Sequence, residues 1–538
     1  MVEELFPTYN LHIKVRSPVH IGSGERMQPM QWKLKGGRLY VLDLERFIQS
    51  VVQSGNLKKA NLLINDLEKG SLPSELDKDW ETWALYNIPY TWGKAQPQEI
   101  LPFIQQGGLG AFFPGSSLKG ALRSALLRGI AAQDSSGLQE VASRWDFERD
   151  SERGSRERSK PKTHSQDFEA RYFSVNAPKS KWPNYDINRL WMVRDIPVSF
   201  EKLQAVQVQI FSIGIKNNLN PKPASIFLEV LQPGYEFKMQ MVWQEYLARQ
   251  EVLGFQKIAP YWLYLAQYCR EAALRLIEQE YDFYDRHFEK PVAEWYQQLH
   301  QTALNLPPNA FLLPIGYGSG FDAKTITRML GNKRFEAICQ NFRNTQGLGR
   351  PGNTLGGKWF GPADAPKSRK LVVDQTGQKL PLGWVEVHMQ PADERVDWLK
   401  GLQSQHRAPQ FSEHAPLRRT VSAPTPPVLA PTSKPTPAPT SAAHDGPQSQ
   451  SSSGSPILTH LTDIPKPGDR FHATMLYFDE GKAWLEIPGL SADDQAIAFI
   501  PGAKNLREDK KVLCRVVDVQ ADPKQKGFYQ VHCVLNEE

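Results

Sequence analysis

The chain has 538 residues, 40% of them hydrophobic, and a formal net charge of +6. This length is too great for a single hydrophobic core and predicts two or three domains, while the small basic excess permits a polyanionic partner without requiring one. No apolar run of about 18 residues is present, which argues against a transmembrane helix, and the four cysteines form no Cys-x-x-Cys pair, which argues against a zinc finger or a disulfide framework.

A glycine-rich loop follows the first predicted strand. Residues 9–16 alternate apolar and polar side chains, which is typical of a half-buried strand. The next residues include His20, Gly22, Ser23 and Gly24, and glycines let backbone N–H groups approach a ligand closely. These four residues are therefore candidates for a binding site. His20 could also act as a general base, although a lone histidine in a loop more often makes a structural hydrogen bond.

A hairpin and a capped helix come next. Gly36 and Gly37 separate two short runs of alternating residues, which predicts a two-stranded hairpin. Asp43 then precedes a helical pattern that begins at Leu44. An aspartate at this position accepts a hydrogen bond from the first turn of a helix, so we expect Asp43 to be its cap.

The segment Pro114–Arg123 predicts a loop that leads into the N-terminus of a basic helix. Apolar residues recur in it at helical spacing, so one face packs inward. Lys119 and Arg123 are one turn apart and share another face. Because backbone N–H groups at a helix N-terminus attract phosphate, Ser116, Ser117, Lys119 and Arg123 are candidate contacts to a nucleic-acid backbone. The alternative is an ordinary amphipathic helix whose basic residues are solvated.

The middle of the chain predicts an α+β fold. Residues 144–169 are dense in charges of both signs and predict an exposed insertion. The runs 205–215, 225–231 and 235–243 predict three strands, and residues 261–281 predict a helix. Strands and helices in this order favour ferredoxin-like units, two of them within residues 1–403.

A second glycine-rich loop follows an apolar strand and contains Gly316, Tyr317, Gly318 and Gly320. Its glycine spacing differs from the Gly-x-Gly-x-x-Gly of dinucleotide-binding folds, so we expect no such cofactor. The glycines still allow a ligand to approach the backbone, and Tyr317 could stack on a base. No His-Glu-x-x-His motif is present and no histidine cluster has the spacing of metal ligands, and the single Asp195 more often has a turn or salt-bridge role, so the sequence predicts no metal site.

The C-terminal part predicts a linker and a small all-β domain. Residues 404–465 are rich in proline, serine, threonine and alanine and predict a disordered linker. Residues 466–538 contain five strand-like runs separated by Gly, Asp and Pro, which favours a small barrel of OB or S1 type. Such barrels often bind single-stranded nucleic acid, but this one carries 10 Lys/Arg against 12 Asp/Glu. A protein-docking role is therefore an equal alternative.

Together these motifs resemble the RAMP superfamily of CRISPR effector proteins, and within it the fifth Csm subunit of type III-A complexes. In chain order the similarity rests on the loop 18–24, the segment 40–43, the helix start 114–123, the segment 193–195, the loop 316–320 and the segment 381–385. Pro-Gly-Ser-Ser-x-Lys-Gly followed by Arg is fairly specific for RAMP proteins, and the order of the segments favours this subunit. The similarity covers residues 9–390 and leaves out the linker and the C-terminal segment.

The resemblance implies RRM-like, ferredoxin-like units and a non-catalytic structural subunit that holds the 3′ part of the crRNA in antiviral defence. It implies other subunits of the complex as partners, indirect contact with target RNA, accessory nucleases for crRNA maturation, and no cofactor. The candidate RNA-binding residues are those of the two glycine loops and the basic helix: His20, Gly22, Ser23, Gly24, Ser116, Ser117, Lys119, Arg123, Gly316, Tyr317, Gly318 and Gly320.

Three alternatives stay open at the level of the sequence. The chain could be a backbone or cap RAMP subunit of a type III-B complex, or a metal-independent crRNA-processing endoribonuclease that uses His20. It could also be a scaffold whose C-terminal barrel recruits protein partners. Residues 1–7 contain no basic leader sequence, so we expect a cytoplasmic protein without membrane contact.

Overall fold

The computed structural model divides the chain into two units, Met1–Thr420 and Val421–Glu538. It describes residues 8–70, 73–93, 95–107, 110–143, 164–174, 182–214, 218–255, 259–331, 333–336, 338–339, 365–391, 407–417, 457–458, 464–467, 469–479, 482–488, 496–501, 511–521 and 529–535. None of the helices formed by these residues is long and apolar enough to cross a bilayer. Each unit has a hydrophobic core of its own.

The larger unit combines strands and helices throughout. Its described strands are β1 (Thr8–Val15), β2 (Trp32–Lys35), β3 (Arg38–Leu42), β4 (Ala84–Pro89), β5 (Ile100–Leu101), β6 (Gln105–Gln106), β7 (Gly110–Phe113), β8 (Trp191–Val193), β9 (Ile196–Pro197), β10 (Leu203–Ile213), β11 (Leu219–Leu231), β12 (Glu236–Trp243), β13 (Ala310–Pro314), β14 (Ser368–Val373), β15 (Lys379–Pro381) and β16 (Trp384–Pro391). Its described helices are α1 (Leu44–Gln53), α2 (Leu57–Glu68), α3 (Ser74–Lys78), α4 (Gly115–Gln133), α5 (Ser135–Ser143), α6 (His164–Phe173), α7 (Glu245–Ala248), α8 (Ala259–Leu263), α9 (Leu265–Arg286) and α10 (Lys290–Asn305). The predicted mixture of α and β structure is confirmed.

The first sheet has the N-terminal strand at its centre. Its order is β13-β16-β1-β12-β8, and all neighbouring strands are antiparallel. The alternation of β1 is confirmed, because Leu11, Ile13 and Val15 are buried while the residues between them are more accessible. Helix α9 packs on β13, α4 and α10. A Cβ atom at Gly129 of α4 would lie 2.3 Å from the carbonyl oxygen of Tyr268 of α9, so the two helix backbones touch.

The second sheet has the order β15-β14-β10-β11-β5 and is built on the long antiparallel pair of β10 and β11. These strands and β12 occupy the three regions where the sequence predicts strands. Two smaller sheets have the orders β2-β3-β4 and β6-β7-β9. The hairpin of β2 and β3 turns at Gly36 and Gly37, both at positive φ, and the side chain of Asp43 accepts a hydrogen bond from the N–H of Arg46. The predicted hairpin and helix cap are thus confirmed.

The secondary-structure elements that the described residues of the smaller unit form are all strands. Its strands are β17 (Ile457–Leu458), β18 (Arg470–Asp479), β19 (Lys482–Glu486), β20 (Ala496–Pro501), β21 (Lys511–Ala521) and β22 (Tyr529–Leu535). They form one sheet of order β17-β18-β19-β20-β22-β21, and β18 also pairs with β21. Its core contains Phe471 together with smaller apolar residues such as Ala473, Leu485 and Val531.

Part of the predicted linker belongs to the larger unit. Residues 407–417 pack on α9 and α10: the Phe411 and Tyr268 rings are 5.6 Å apart, and the Gln297 side-chain amide donates a hydrogen bond of 2.8 Å to the Leu417 carbonyl. Two apolar side chains anchor this stretch although its surroundings are rich in proline. Of the predicted insertion 144–169, residues 144–163 lie outside the described part of the chain, and α6 begins at His164.

Candidate functional site

The first glycine loop begins where the two large sheets approach each other. Just after β1, the N–H of Ser17 donates a hydrogen bond of 3.1 Å to the carbonyl oxygen of Trp384 in the first sheet. Two residues later, Val19 forms a bridge with Leu231 of the second sheet, whose N–H donates to the Val19 carbonyl at 2.8 Å. The backbone that carries His20 is therefore fixed from both sides.

The second glycine loop touches the first. The N–H of Tyr317 donates a hydrogen bond of 2.9 Å to the carbonyl oxygen of His20. Gly316 has φ of +78°, and a Cβ atom there would lie 2.3 Å from the same oxygen. Only glycine combines this backbone conformation with so close an approach. Two loops nearly 300 residues apart in sequence are thereby joined.

The basic helix begins at a close contact with the first sheet. A Cβ atom at Gly115 would lie 2.2 Å from the carbonyl oxygen of Val193, so the start of α4 lies directly against β8. The preceding Pro114 offers no side-chain cap, and Asp195 supplies one instead, because its Oδ1 accepts a hydrogen bond of 2.7 Å from the N–H of Gly115. Asp195 therefore positions the helix.

These three segments surround one open cavity of about 660 Å³. Six of the predicted residues line it: His20, Gly22, Gly24, Ser117, Gly316 and Tyr317. Helix α4 adds Gly120, Ala121 and Ser124, and the wall also contains apolar Leu101, Pro314, Ile315 and Ala323 and the acidic Glu25. The structure therefore brings the two loops and the helix start to a common surface, which the sequence alone does not predict.

The basic face of α4 does not line this cavity. The Arg123 guanidinium donates hydrogen bonds of 2.7 Å to Glu169 and 3.3 Å to Asp186, and it lies 4.7 Å from the centre of the Phe173 ring. Lys119 is half-buried near Asp186, and burial lowers the pKa of its ammonium group. Arg123 is thus engaged in holding α6 and the chain around Asp186, and the RNA contacts of both cations stay predictions.

Four further candidates lie beside the cavity without lining it. Ser23 and Ser116 are exposed, and so is Gly320, at positive φ in open space. A Cβ atom at Gly318, also at positive φ, would lie 3.0 Å from the side chain of Leu382. Gly318 therefore shapes the second loop through packing, while the other three stay accessible.

His20 is held in one orientation and one tautomer. Its side chain is buried, with 3% of the residue surface exposed, and Nδ1 lies 2.6 Å from the carbonyl oxygen of Glu229. Because a carbonyl oxygen only accepts, Nδ1 carries the proton and Nε2 is the acceptor, packed over Gly22. Burial lowers the pKa of His20, which favours the neutral ring. The edge of the Tyr317 ring contacts it, with ring centres 5.8 Å apart.

Glu229 lies behind His20 and was missed in the sequence. Its carboxylate accepts hydrogen bonds from the Tyr86 hydroxyl at 2.8 Å and from the Phe103 N–H at 2.9 Å. The residue is fully buried, and this burial raises its carboxyl pKa to about 7. The one available signal was a charged residue inside the apolar run 226–231.

Three cations at the cavity also escaped sequence analysis. Arg26 and Lys324 line it, and Lys370 lies over the Tyr317 ring, 4.2 Å from its centre. Arg26 pairs with Glu99, whereas Lys324 has no carboxylate partner among the described residues. Burial and the nearby Lys370 lower the pKa of Lys324. An apolar wall with an aromatic ring and a cationic edge can accommodate both the base and the phosphate of a nucleotide.

A family model described as the RAMP superfamily matches residues 12–320, which is more than half of the chain. Among curated proteins, the CRISPR system Cms protein Csm5 of Enterococcus italicus is 26% identical over 155 residues. This match covers 23% of the present chain and 44% of that protein, so the chain spans less than half the length of this relative.

One solved structure shares the fold. A chain of the cryo-EM structure of a Csm-crRNA-target RNA ternary complex in a type III-A CRISPR-Cas system superposes with a TM-score of 0.51 at 22% identity, covering 71% of the present chain and all of that chain. The crystal structure of T. onnurineus Csm5 gives a TM-score of 0.45 at 20% identity, covering 70% and 99% of the two chains. The similarity to the chain of the ternary complex covers more of the present chain than the family model does.

Proposed function

Because the chain belongs to the RAMP superfamily, we propose that it is a non-catalytic, crRNA-binding structural subunit of a type III-A CRISPR effector complex. In this role it holds the 3′ part of the crRNA in the cytoplasm, contacts other subunits and meets target RNA only indirectly. The similarity to Csm5 and the fold shared with a chain of a Csm-crRNA-target RNA complex support the assignment.

The observation that carries the proposal is the meeting of the two glycine loops and the start of α4 at one cavity. A subunit that holds any guide sequence must bind the RNA backbone and the faces of bases rather than their edges. Backbone N–H groups of the loops and the charges of Arg26, Lys324 and Lys370 suit phosphates, and Tyr317 offers a ring for stacking. None of these contacts depends on base identity.

The surroundings of His20 support a binding role over catalysis. A general base must reach the proton that it removes, and His20 has 3% of its surface exposed. Its free nitrogen packs over Gly22, and its other nitrogen is bound to a backbone carbonyl. In our proposal His20 therefore supports the loop backbone that RNA contacts, and crRNA trimming is left to accessory nucleases.

The architecture that we propose has two ferredoxin-like units and a separate barrel. The two five-stranded sheets of the larger unit support the first part, since α9 packs on β13 of the first sheet and α10 on β15 of the second. Pairing of β18 with both β19 and β21 would close the strands β18 to β22 into a small barrel of OB or S1 type, joined by a linker that starts after the packed residues 407–417. The proposed function of this barrel is to contact RNA or to dock a nuclease.

The direct test is to purify the tagged full-length protein from its native host and to sequence the RNA that comes with it. We expect small RNAs with one repeat-derived 5′ handle and variable spacers, together with a ladder of Csm-type subunits. Cmr-type partners would move the chain to a type III-B complex. RNA-free or randomly loaded protein would reject the proposed function.

A variant at the cavity edge tests the site itself. Arg26→Ala with Lys324→Ala should weaken crRNA binding on the order of tenfold or more, and the slope of log affinity against log salt should shrink by about 1.4, since each lost contact to single-stranded RNA removes about 0.7. Lys58→Ala with Lys69→Ala is the control with equal charge loss, because Lys58 on α2 and Lys69 just after it are both exposed. Equal crRNA affinity and equal salt dependence of the two double variants would mean that the cavity does not contact the RNA.

The cation pair predicted on α4 needs separate variants. Lys119→Ala alone tests an RNA contact, because Lys119 makes no ion pair with a described carboxylate, whereas Arg123→Ala also removes the contacts to Glu169 and Asp186. Loss of affinity in folded Lys119→Ala would extend the RNA path along this face of α4. Incubation of the wild-type protein and of His20→Ala with a repeat RNA tests the endoribonuclease alternative, which requires cleavage by the wild type that His20→Ala abolishes.

A further inference from the structure

Two histidines and a glutamate that do not line the cavity meet at another place in the larger unit. Glu278 is on α9, His300 is on α10, and His414 is in the stretch 407–417. The Glu278 Oε1 atom lies 3.2 Å from His300 Nε2 and 2.6 Å from His414 Nδ1. One donor atom from each of the three residues lies within 4.8 Å of the other two.

We propose that Glu278, His300 and His414 form a binding site for a divalent transition-metal ion, with zinc as the metal that suits these donors best. Two imidazole nitrogens and one carboxylate oxygen are the ligands that zinc takes in sites with an open position. Ligands about 2.1 Å from a tetrahedral ion are about 3.4 Å from each other. The His300–Glu278 separation already matches this value, and the His414–Glu278 separation must open by less than about 1 Å.

A second carboxylate beside the cluster also suits metal binding. Metal-bound histidines usually donate their second ring N–H to a carboxylate, which fixes the tautomer and the ring orientation. His414 Nε2 lies 2.8 Å from Glu271 Oε2, two helical turns before Glu278 on the same face of α9. Glu271 is buried and is itself paired with Arg275. His414 thus directs Nδ1 towards Glu278 and His300.

Burial leaves His300 with a single polar contact. Its side chain is fully buried, its Nε2 faces Glu278, and its Nδ1 has no hydrogen-bond partner among the described residues. Nε2 is therefore the ring nitrogen placed to bind the ion, and Nδ1 would carry the proton of the neutral ring. Glu278 and His414 stay partly accessible, so an ion and a water ligand can reach the site.

The proposed ion would fasten the end of the larger unit. Of its three ligands, only His414 comes from the stretch 407–417, and the other two come from the helical pair beneath it. Metal binding would then link the position of this stretch to α9 and α10. The role is structural, and it is independent of the RNA-binding proposal, because no ligand lines the RNA cavity.

The test is metal binding by the full-length protein after removal of metals with a chelator. Titration with Zn²⁺ in a calorimeter should show one saturable site per chain, and Co²⁺ should give the intense visible bands of tetrahedral coordination. His414→Gln and Glu278→Gln should each weaken binding at least about 100-fold, and Glu271→Gln should weaken it about 10–100-fold. His472→Gln, an exposed histidine of the smaller unit, is the matched control and should bind as the wild type does.

Thermal unfolding gives a second measurement that does not depend on His300, whose replacement could disturb the core. Excess Zn²⁺ should raise the melting temperature of the wild-type protein and of His472→Gln by several degrees and leave that of His414→Gln unchanged. The absence of saturable binding, or equal binding by wild type and His414→Gln, would overturn the proposal. The three residues would then be a hydrogen-bonded cluster only.

Discussion

Gly316 shows how a single residue sets the distance between two loops. Its positive φ alone would favour glycine, and the contact with the His20 carbonyl removes the remaining space for a side chain. The sequence identifies it as a loop glycine, because glycine spacing is a local signal. That it contacts a residue near the N-terminus could not be predicted, since the contact exists only in the folded chain.

Gly316→Ala should destabilise the larger unit by roughly 3 kcal/mol or more, because positive φ costs about 1–2 kcal/mol and the new Cβ displaces backbone at His20. The matched control is Gly320→Ala, at φ of +91° with nothing within 4 Å, which should cost only the conformational part. Urea unfolding of both variants, followed by tryptophan fluorescence, measures the two losses of stability. Equal losses of stability in the two variants would show that the two glycine loops can move apart to admit the new Cβ at little cost.

Glu229 is expected to make stability depend on pH. Its folded pKa of about 7 exceeds the 4.5 of an ordinary glutamate, so the native state holds a proton that the unfolded chain releases. The stabilising contribution is complete below pH 4.5 and is lost as the pH rises through about 7, by an amount on the order of 3 kcal/mol.

Glu229→Gln should remove this pH dependence, because the amide stays neutral and can still pair with Tyr86 and Phe103. The measurement is the free energy of unfolding of both proteins at about pH 5 and pH 8.5. We expect the free energy of unfolding of the variant, relative to that of the wild type, to be larger at the higher pH. A difference that does not change with pH would mean that Glu229 is ionised throughout.

At the scale of elements, the start of helix α4 was predictable but its orientation was not. Pro114 and the helical apolar spacing locate its start, as the structure shows. The sequence could not show which polar face of α4 lines the cavity, because the orientation of the helix about its own axis depends on contacts with β8 and α9. Arg123 consequently meets α6, and Ser117 and Ser124 meet the cavity.

Gly115→Ala should shift or destabilise the start of α4, since a Cβ there would lie 2.2 Å from backbone at Val193. We expect a loss of roughly 2 kcal/mol or more and weaker RNA binding. Gly120→Ala is the control on the same helix, with nothing within 4 Å of a new Cβ, and should be neutral or stabilising by up to about 1 kcal/mol. Thermal unfolding separates the two, and a neutral Gly115→Ala would contradict the close contact.

On the scale of the whole molecule, the end of the larger unit was the least predictable boundary. Composition marks residues 404–465 as a linker because prolines and small polar residues dominate the window. Phe411, His414 and Leu417 are too few to change that average, yet each has a partner on α9 or α10. Such isolated anchors are visible only in the fold.

Removing residues 421–538 should leave the thermal stability of the larger unit unchanged, whereas removing residues 404–538 should lower it by several degrees. The second deletion loses the partly buried Phe411 and Leu417, worth roughly 2–4 kcal/mol together. The full-length double variant Phe411→Ala with Leu417→Ala is the control and should reproduce that loss. Equal melting temperatures of the two truncations would mean that the stretch adds nothing.

Helix α4 is held against its neighbours at both ends by backbone contacts, at Val193 through Gly115 and at Tyr268 through Gly129, about 21 Å apart. A segment clamped in this way has little freedom to rotate or slide. The cavity wall that it provides is therefore preformed, and an RNA bound there as we propose would meet it without first ordering protein. We expect slow amide exchange along α4 in the free protein, and the entropic cost of capture to fall almost wholly on the RNA.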